Sequence, residues 1–587
     1  MSYASVSRQS STPSILRKTP KPKSPGLRVR FQVDKISNLK NLLSDYVKEK
    51  TNKDAYVDVI CRIRDAGDEL TDEEFIKLIT ETNDCISVLS EELKLFVQVI
   101  LILKWANRSD EAALQYKNFL LNVCSAHNYY TKFVFQMLIT SFADVIENSY
   151  HDNCLPSEQE ERAFQHVHET FRSLLKLIPM SKGVISNIIL KKYPFKGASA
   201  QSHLNFVHNL LNIASYEPSL RPKILDIIIS KLIFFDASTS KDEIEKAENG
   251  TEMKTDPVFS MEIDDVTPDE DMKNDKARKL DYCLHRLFKF IHAECHDKNG
   301  ELKFVKLKTL YAEFIEIFEE RILPTCGSCH LQFILFYLVS FKQKLAEDFI
   351  TYLWNKFKNS NVAPIIRQAT ACYISGILAH GSFFSVQFVK NMMNEIASWL
   401  HTYINAVSDF TEDSNRSMVN RHGAFYALCQ AFFYLICSRQ DELVNSNKHL
   451  KFLENLNLGK IVTCRLNPLL VCSRNVVNMF AAVTKTYQLT YCFSVLNNYN
   501  VVIRNSTDIW LDEYLPFECY LLKRSGGIIH PIYCRMSEPS TDISEPEPME
   551  SKGEDEEDFI PNGMTISNSP RVPVLSSSPF FGCNVSF

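Results

Sequence analysis

Five consecutive residues near the middle of the chain combine cysteine and histidine at the spacing of a known chemical motif. Cys326-Gly-Ser-Cys329-His330 fits the short pattern of c-type haem attachment. Haem attachment takes place in an oxidising export compartment, and residues 1–30 are polar and basic without the apolar run of a secretory signal. A zinc finger would need a second Cys/His pair at the right spacing, which the sequence lacks. The motif therefore indicates a turn that leads into a capped helix, and we predict no metal ligand and no cofactor.

Other motifs on which enzymes depend are absent from the sequence. We find no P-loop, no GxGxxG after a strand, no HExxH and no GxSxG. Adjacent carboxylates such as Asp264-Asp265 lie in an acidic tract with few large apolar residues, which is expected to be flexible. A flexible tract cannot hold two carboxylates in the geometry of acid–base catalysis. We therefore predict that the protein has no catalytic residue and is not an enzyme.

The composition is that of a mostly folded protein with several domains or one elongated repeat body. The 587 residues are 45% hydrophobic and 11% aromatic, and the 16 glycines are too few for a turn-rich all-β fold or for glycine-loop nucleotide folds. The net charge of −6 argues against a polyanion binder. Most of the 17 cysteines lie in apolar helical runs, as buried thiols of a reducing compartment would. No apolar run reaches transmembrane length, so we expect a soluble intracellular protein without a membrane contact.

Helical runs separated by short polar breaks fill most of the chain. The clearest stretch, Ile461–Tyr491, breaks at Leu466-Asn467-Pro468, because proline fixes its own φ and disfavours the α-region for the residue before it. The next helix is expected to start near Ser473, whose side chain can accept from free amides. Helix pairs in tandem with no strand pattern predict an all-α, HEAT-like helical-repeat solenoid whose repeats follow no strict period.

Charge and composition divide the chain into five predicted regions. Residues 1–34 form a basic tail and residues 536–587 form an acidic, Ser/Pro-rich tail, and both are expected to be disordered. Residues 35–236 and 278–535 are the N-terminal and C-terminal helical-repeat regions. Between them, residues 237–277 are rich in Asp and Glu and are expected to form a disordered acidic insertion.

Four serines have flanking residues that suit protein kinases. Ser24, Ser569 and Ser578 each precede a proline, as proline-directed kinases require. Ser157 is followed closely by two glutamates, which suits an acidophilic kinase. These serines are the candidate phosphorylation sites that the local sequence offers, and a phosphate at any of them would add about −1.5 to −2 charges.

Several segments of the chain follow one another in an order and spacing that are characteristic of one family. They are Leu323–Phe341 (LPTCGSCHLQFILFYLVSF), Ile365-Ile-Arg-Gln-Ala369, Leu466-Asn-Pro468, Val476–Val483 (VVNMFAAV), Tyr487-Gln-Leu489, Leu522-Lys-Arg-Ser525 and Pro531-Ile-Tyr533, with the helix pair around Val207–Leu211 and Pro218–Arg221. Each is a packing motif and is weak alone, but together they make the match specific. From about Val29 to Tyr533 the sequence resembles the RNA polymerase I-specific transcription initiation factor family.

This resemblance implies a HEAT-repeat fold with an acidic insertion, no catalytic activity, and partners rather than substrates. Members of the family bind RNA polymerase I and a promoter-bound core factor at ribosomal DNA, and phosphorylation regulates the pairing. The implied location is the nucleus and nucleolus, and the resemblance also supports a homodimer in the idle state. Ser202 stands where relatives carry a phosphoacceptor, so it joins the candidate phosphorylation sites.

One helix end is a candidate contact with the core factor. Leu378, Ala379 and His380 match a segment that is linked to the core factor in some members of the family. The basic residues that those members carry at this position are absent from this sequence.

The alternative function is a different class of helical-repeat protein. An α-solenoid nuclear transport receptor or a generic protein-interaction scaffold also lacks catalytic motifs and also carries acidic loops. Direct DNA binding is expected to be weak or absent, because the helical body shows no dense basic stripe. Ran-dependent cargo binding would favour the transport receptor, whereas selective recovery of RNA polymerase I would favour the initiation factor.

Overall fold

The computed structural model describes residues 39–49, 53–67, 69–145, 156–249, 271–325, 327–407, 415–493, 495, 511 and 514–536. These residues are largely helical, and the β contacts found among them are two isolated bridges, His296 with Leu302 and Gly381 with Tyr533. The described residues through Met536 belong to one compact unit. Within that part of the chain, no single helix is both long and apolar enough to cross a bilayer.

The helices are numbered in chain order. The first group comprises α1 (Leu39–Glu49), α2 (Lys53–Ala66), α3 (Asp72–Asp84), α4 (Lys94–Ile102), α5 (Asp110–Ala126), α6 (Thr131–Thr140), α7 (Glu158–Leu177), α8 (Lys182–Lys192), α9 (Ala200–Tyr216), α10 (Arg221–Ala237), α11 (Lys241–Asn249), α12 (Asp275–Cys295) and α13 (Phe304–Ile317). Short 3₁₀ turns occupy Ile86–Val88, Glu91–Leu93, Asn128–Tyr130, Ser141–Ala143 and Pro179–Ser181, and a π-helical turn, Phe318–Ile322, extends α13.

The second group of helices leads to the C-terminal end of the described chain. It comprises α14 (Phe333–Ser340), α15 (Gln343–Lys358), α16 (Pro364–His380), α17 (Val386–Val407), α18 (Asn415–Ser438), α19 (Gln440–Val444), α20 (Asn447–Asn455), α21 (Leu458–Val462), α22 (Pro468–Val471), α23 (Arg474–Thr486) and α24 (Lys523–Ile529), followed by the 3₁₀ turn His530–Ile532. Helix α18 is kinked at His422, where the backbone leaves the helical region.

Capping residues set the starts of several helices. At α3 the N–H of Glu74 donates to the Thr71 hydroxyl (3.3 Å) and the N–H of Thr71 donates to the Glu74 carboxylate (3.0 Å). Ser157 and Glu160 form the same reciprocal capping box at α7. Pro364 occupies the first turn of α16, where the missing proline N–H leaves no helical bond unmade.

Most helices of the first group stack in two layers that share one core. Layer A contains α1, α3, α5, α7, α9 and α12, and layer B contains α2, α4, α6, α8, α10 and α13. The layers meet through buried side chains: Tyr116 of α5 donates to the carbonyl of Ile100 in α4 (3.0 Å), and Phe135 of α6 packs edge-to-face on Phe171 of α7 (5.2 Å). Tandem helix pairs of this kind confirm the predicted all-α helical-repeat fold.

The stretch Ile461–Tyr491 breaks where the sequence predicts. Asn467 takes a left-handed conformation with φ of 46°, and α22 begins at Pro468. Helix α23 begins at Arg474, so Ser473 is its N-cap residue. The expected side-chain cap is wrong, because Ser473 makes no cap bond and instead donates its backbone N–H to the Gln430 side chain (2.8 Å).

The predicted disordered insertion at 237–277 is wrong over part of its length. Helix α11 lies within it, and Ile244 in that helix is buried. Two of its charged residues pair with the far end of the chain: Lys241 contacts Glu518 (2.8 Å) and Glu248 contacts Lys523 (2.8 Å). Local composition cannot reveal such distant partners, which is why the sequence suggested an unstructured tract here. Residues 250–270 lie outside the described residues.

The two predicted helical-repeat regions are joined by direct helix packing. Helix α12, which comes after the insertion, packs against α9, which comes before it, so the two predicted repeat regions belong to one unit. The predicted tails at 1–34 and 536–587 lie outside the described residues except for Met536.

Candidate interaction sites

The Cys/His motif at 326–330 surrounds one buried carboxylate, that of Asp236 in α10. The carboxylate accepts from the Ser328 hydroxyl (2.5 Å) and from the backbone N–H groups of Cys329, His330 and Leu331 (3.1, 3.0 and 3.0 Å). His330 also donates from Nδ1 to Asp236 (2.9 Å). The described part of the motif is therefore a turn capped from another helix, as the sequence suggested, whereas Cys326 lies outside the described residues.

Hydrogen bonding keeps Asp236 ionised. Burial alone would raise the pKa of Asp236, but the hydrogen bonds from His330 and Ser328 bring that pKa below its ordinary value. The second ring nitrogen of His330, Nε2, accepts from the N–H of Leu521 (3.4 Å). The turn, α10 and a segment near the C-terminus are thus joined at one buried carboxylate.

A second buried aspartate, Asp281 in α12, caps the short helix α24. Its carboxylate accepts from the backbone N–H groups of Arg524 (2.9 Å) and Ser525 (2.8 Å), and also from the Ser525 hydroxyl. Burial raises the pKa of Asp281, because these bonds offset only part of its lost hydration. We call residues 514–536 the C-terminal strap, since contacts with Asp236's turn and with Asp281 fix it to α10 and α12.

The C-terminal strap covers the helix end that the sequence offers as the core-factor contact. Leu378, Ala379 and His380 are all buried. His380 donates from Nδ1 to the carbonyl of Cys534 (2.8 Å), and its ring stacks on Tyr533 with centroids 4.8 Å apart. Because burial lowers the pKa of His380 to about 4, the ring is neutral and Nε2 accepts from the Tyr434 hydroxyl (2.7 Å).

These three residues therefore present no exposed side chain to a partner. The core-factor contact stays a prediction, and in this arrangement it would have to use neighbours such as the exposed Ser382 or follow release of the strap. The backbone N–H of Ser382 itself donates to the carbonyl of Ile532 in the strap (3.1 Å).

Two of the predicted phosphorylation sites lie in described parts of the chain. The Ser157 hydroxyl is the N-cap of α7. Ser202 lies in the first turn of α9, where its hydroxyl donates to the carbonyl of Ala143 (2.9 Å). Ser24, Ser569 and Ser578 lie outside the described residues. The two described serines lie on neighbouring helices, because Glu160, which caps α7 together with Ser157, also accepts from the Asn205 side chain of α9 (3.3 Å).

The two layers differ in charge over three consecutive helices of each layer. Helices α4, α6 and α8 of layer B contain five lysines and no acidic residue. Helices α3, α5 and α7 of layer A contain eleven acidic and five basic residues. In these six helices all the acidic residues lie in layer A, so the layer B side is net basic.

Layer B also exposes large aliphatic side chains. Leu95 and Ile102 are seven residues apart on α4 and are 61% and 74% exposed. Val184 and Leu190 are exposed on α8, two helices along in the same layer. We call this surface the basic–apolar face and define it by Leu95, Ile102, Lys132, Val184, Leu190, Lys191 and Lys192, all of which are exposed.

Comparison with known proteins decides the family. The model of the family described as "RNA polymerase I specific transcription initiation factor RRN3" matches residues 37–540. The chain belongs to this family. A mouse relative named RNA polymerase I-specific transcription initiation factor RRN3 is 32% identical over 559 residues, covering 87% of this chain and 83% of the relative. A fission yeast relative named RNA polymerase I-specific transcription initiation factor rrn3 is 24% identical over 501 residues, covering 79% of each chain.

A solved structure agrees with the fold. The crystal structure of RNA polymerase I transcription initiation factor Rrn3 superposes with a TM-score of 0.66 at 20% identity, covering 85% of this chain and 97% of that one. The chain is thus a factor of polymerase I initiation by family, which implies a nuclear function. The family is named for transcription initiation and not for a catalysed reaction.

Sequence reasoning missed the two aspartates and the basic–apolar face. Asp236 ends an apolar helix and Asp281 lies inside another, so each reads as an ordinary polar residue until its distant donors are known. The lysine content of α4, α6 and α8 is visible in the sequence, but only the layer arrangement shows that these helices are neighbours.

Proposed function

We propose that this chain is a non-enzymatic initiation factor that binds RNA polymerase I and recruits it to the promoter-bound core factor at ribosomal DNA. The observation that carries the proposal is the extent of the family match, which includes every helix of the described body from Leu39 onward. The factor acts in the nucleolus as a bridge, and its surfaces are protein-binding surfaces. An idle homodimer that masks one of them is part of the proposal.

Phosphorylation of Ser202 would regulate the bridge through local geometry. A phosphate cannot keep the present hydrogen bond to the Ala143 carbonyl, because the hydroxyl proton that makes the bond is lost. The added charge of about −1.5 to −2 would also lie against backbone carbonyl oxygens, those of Ala143 and of Asp144, the second of which accepts from Asn205 (2.9 Å). Phosphorylation is therefore expected to loosen α9 from Ser141–Ala143 and to weaken a surface built across them.

A reconstituted transcription reaction tests the proposal. Nuclear extract is depleted of the endogenous factor and supplied with this chain, and promoter-dependent ribosomal RNA synthesis is measured. Restored synthesis is expected with the wild type. Ser202→Ala loses the same hydrogen bond but adds no charge, so it should restore most of the synthesis, whereas Ser202→Glu should reduce it. Failure of the wild type to restore synthesis, with the core factor and polymerase I present and active, would contradict the recruiting role. Ran-dependent cargo binding would instead support a transport receptor.

A further inference from the structure

The outward side of α4, α6 and α8 has no partner within the described chain. Each of these helices contacts layer B neighbours on its flanks and buries a further side in the core, so one side of each remains free. On α4 that side carries Leu95 and Ile102, whereas Phe96 and Ile100 on the opposite side are fully buried. On α8 it carries Val184, Leu190 and Lys191. The three free sides adjoin one another because α6 contacts both α4 and α8.

The lysines of this surface lack the carboxylates that other lysines of the body have. Lys117 of α5 pairs with Glu169 and Lys182 at the start of α8 pairs with Glu217. Across the described residues, Lys132, Lys191 and Lys192 form no ion pair. Lys94 lies against aromatic rings, 5.0 Å from the Phe133 ring centroid. A ligand of negative charge would therefore meet unneutralised lysines here.

We propose that the basic–apolar face binds an acidic, amphipathic helical segment of a partner protein. Its aliphatic side chains are suited to the apolar side of such a helix, spaced at i, i+3, i+4 and i+7. Its lysines are suited to Asp and Glu on the flanks of that helix, which steer association and fix its orientation. Three adjacent helices at about 8–10 Å spacing span roughly 20 Å, the length of about 13 helical residues.

The exposed side chains favour a protein segment over a nucleic acid. The four apolar side chains that define the face are aliphatic, whereas single-stranded nucleic acids are bound mainly on aromatic platforms. The aromatic rings beside the face, Tyr129 and Phe133, lie against the Lys94 side chain. A duplex would contact lysines and leave the aliphatic side chains in water. The surface is distinct from the C-terminal strap and from Ser202, and binding of a model peptide to it can be measured without polymerase I.

A synthetic peptide binding measurement on the full chain tests the proposal. The probe is a fluorescent 18-residue peptide with leucines at helical spacing and glutamates elsewhere. We expect saturable binding, and at least tenfold weaker binding by the triple variant Lys132→Glu, Lys191→Glu, Lys192→Glu. A second variant, Leu95→Gln with Ile102→Gln, is also expected to weaken binding at least fivefold. The control variant Lys298→Glu, Lys448→Glu, Lys451→Glu reverses three exposed lysines elsewhere and should bind like the wild type.

Three further results would each contradict the proposal. A scrambled peptide of the same composition separates amphipathic recognition from bulk charge, and equal binding of the two would overturn the proposal. Equal binding by the wild type and both variants of the face would also overturn it. An 18-nucleotide single strand or a duplex that displaces the peptide at lower concentration would assign the surface to nucleic acid. Helical circular dichroism spectra confirm that each variant is folded.

Discussion

Two candidate binding regions of the described chain differ in whether the protein itself covers them. In α4, α6 and α8 the outward sides are open and combine unpaired lysines with exposed aliphatic residues. At the end of α16, the candidate core-factor contact Leu378–His380 is buried and covered by the C-terminal strap. An open surface is available to a partner at once, whereas a covered one requires that the strap be displaced.

Two buried aspartates hold the C-terminal strap in place, and folding shifts their pKa values in opposite directions. Asp236 receives enough hydrogen bonds to keep its pKa below the ordinary value, whereas Asp281 does not and its pKa is raised. Both carboxylates hold the strap, but folding favours the ionised form of Asp236 and disfavours the ionised form of Asp281.

The largest effect is expected when the Asp236 carboxylate is removed. Asp236→Ala leaves the buried N–H groups of His330 and Leu331 without an acceptor, so we expect unfolding to become easier by about 3–5 kcal/mol. Urea denaturation followed by circular dichroism measures the change. Asp45→Ala, at an exposed position of α1, is the control and should change stability by less than about 0.5 kcal/mol. Similar small effects for both variants would mean that Asp236 does not hold the strap.

A smaller effect is expected from loosening the cover itself. Tyr533→Ala removes the ring that stacks on His380 and the hydroxyl that donates to the Phe517 carbonyl (2.7 Å), at a cost of about 2 kcal/mol. Amide hydrogen exchange should then speed up at Gly381 and Ser382 and stay unchanged in α4. Tyr533→Phe keeps the ring and should lose only about 1 kcal/mol. Unchanged exchange near Ser382 in the alanine variant would contradict a covering role for the strap.

The pH dependence should separate the two aspartates. Folding lowers the pKa of Asp236, so its ionised carboxylate stabilises the folded protein at pH values above the unfolded pKa of about 3.9. This contribution is lost as the pH falls through the lower pKa of the folded state. Asp281 has the opposite effect, because folding raises its pKa. Its contribution to stability is full below the unfolded pKa of about 3.9 and is lost as the pH rises through the higher pKa of the folded state.

Variants isolate these terms in urea denaturation between pH 3 and pH 6. The destabilisation caused by Asp236→Asn should shrink as pH falls below about 4. The stability difference between wild type and Asp281→Asn should shift in favour of the wild type as pH falls towards about 4. Parallel pH profiles for both variants would show that the two carboxylates are not different in this respect.

The smallest stability effect is expected on the open surface. Leu95→Gln and Ile102→Gln should each change the free energy of unfolding by no more than about 0.5 kcal/mol, because both side chains already lie in water. Phe96→Ala, in the same helix on its buried side, should cost about 3–5 kcal/mol. Thermal or urea unfolding of the three variants makes the comparison. A large loss in either glutamine variant would mean that the face is covered within the protein.

The sequence predicts the helices well and the tertiary contacts poorly. Pro468 predicts the break before it and the apolar periodicity predicts α23, since both signals act within a few residues, whereas the short helix α22 is not among the predictions. The sequence does not predict helix α11, because its acidic composition suggests disorder. The contacts that order it are an ion pair with Lys523, which is distant in sequence, and the burial of one side chain, Ile244. The burial of His380 depends on a strap more than 150 residues away, so no local pattern could show it.

Co-purification of polymerases with the tagged full chain tests the central claim most directly. RNA polymerases I, II and III are quantified in the same eluate from nuclear extract. The account predicts selective recovery of polymerase I, reduced for Ser202→Glu and mostly retained for Ser202→Ala. Equal recovery of all three polymerases, or recovery of none by a folded wild-type chain, would contradict the claim that this chain acts as a polymerase I initiation factor.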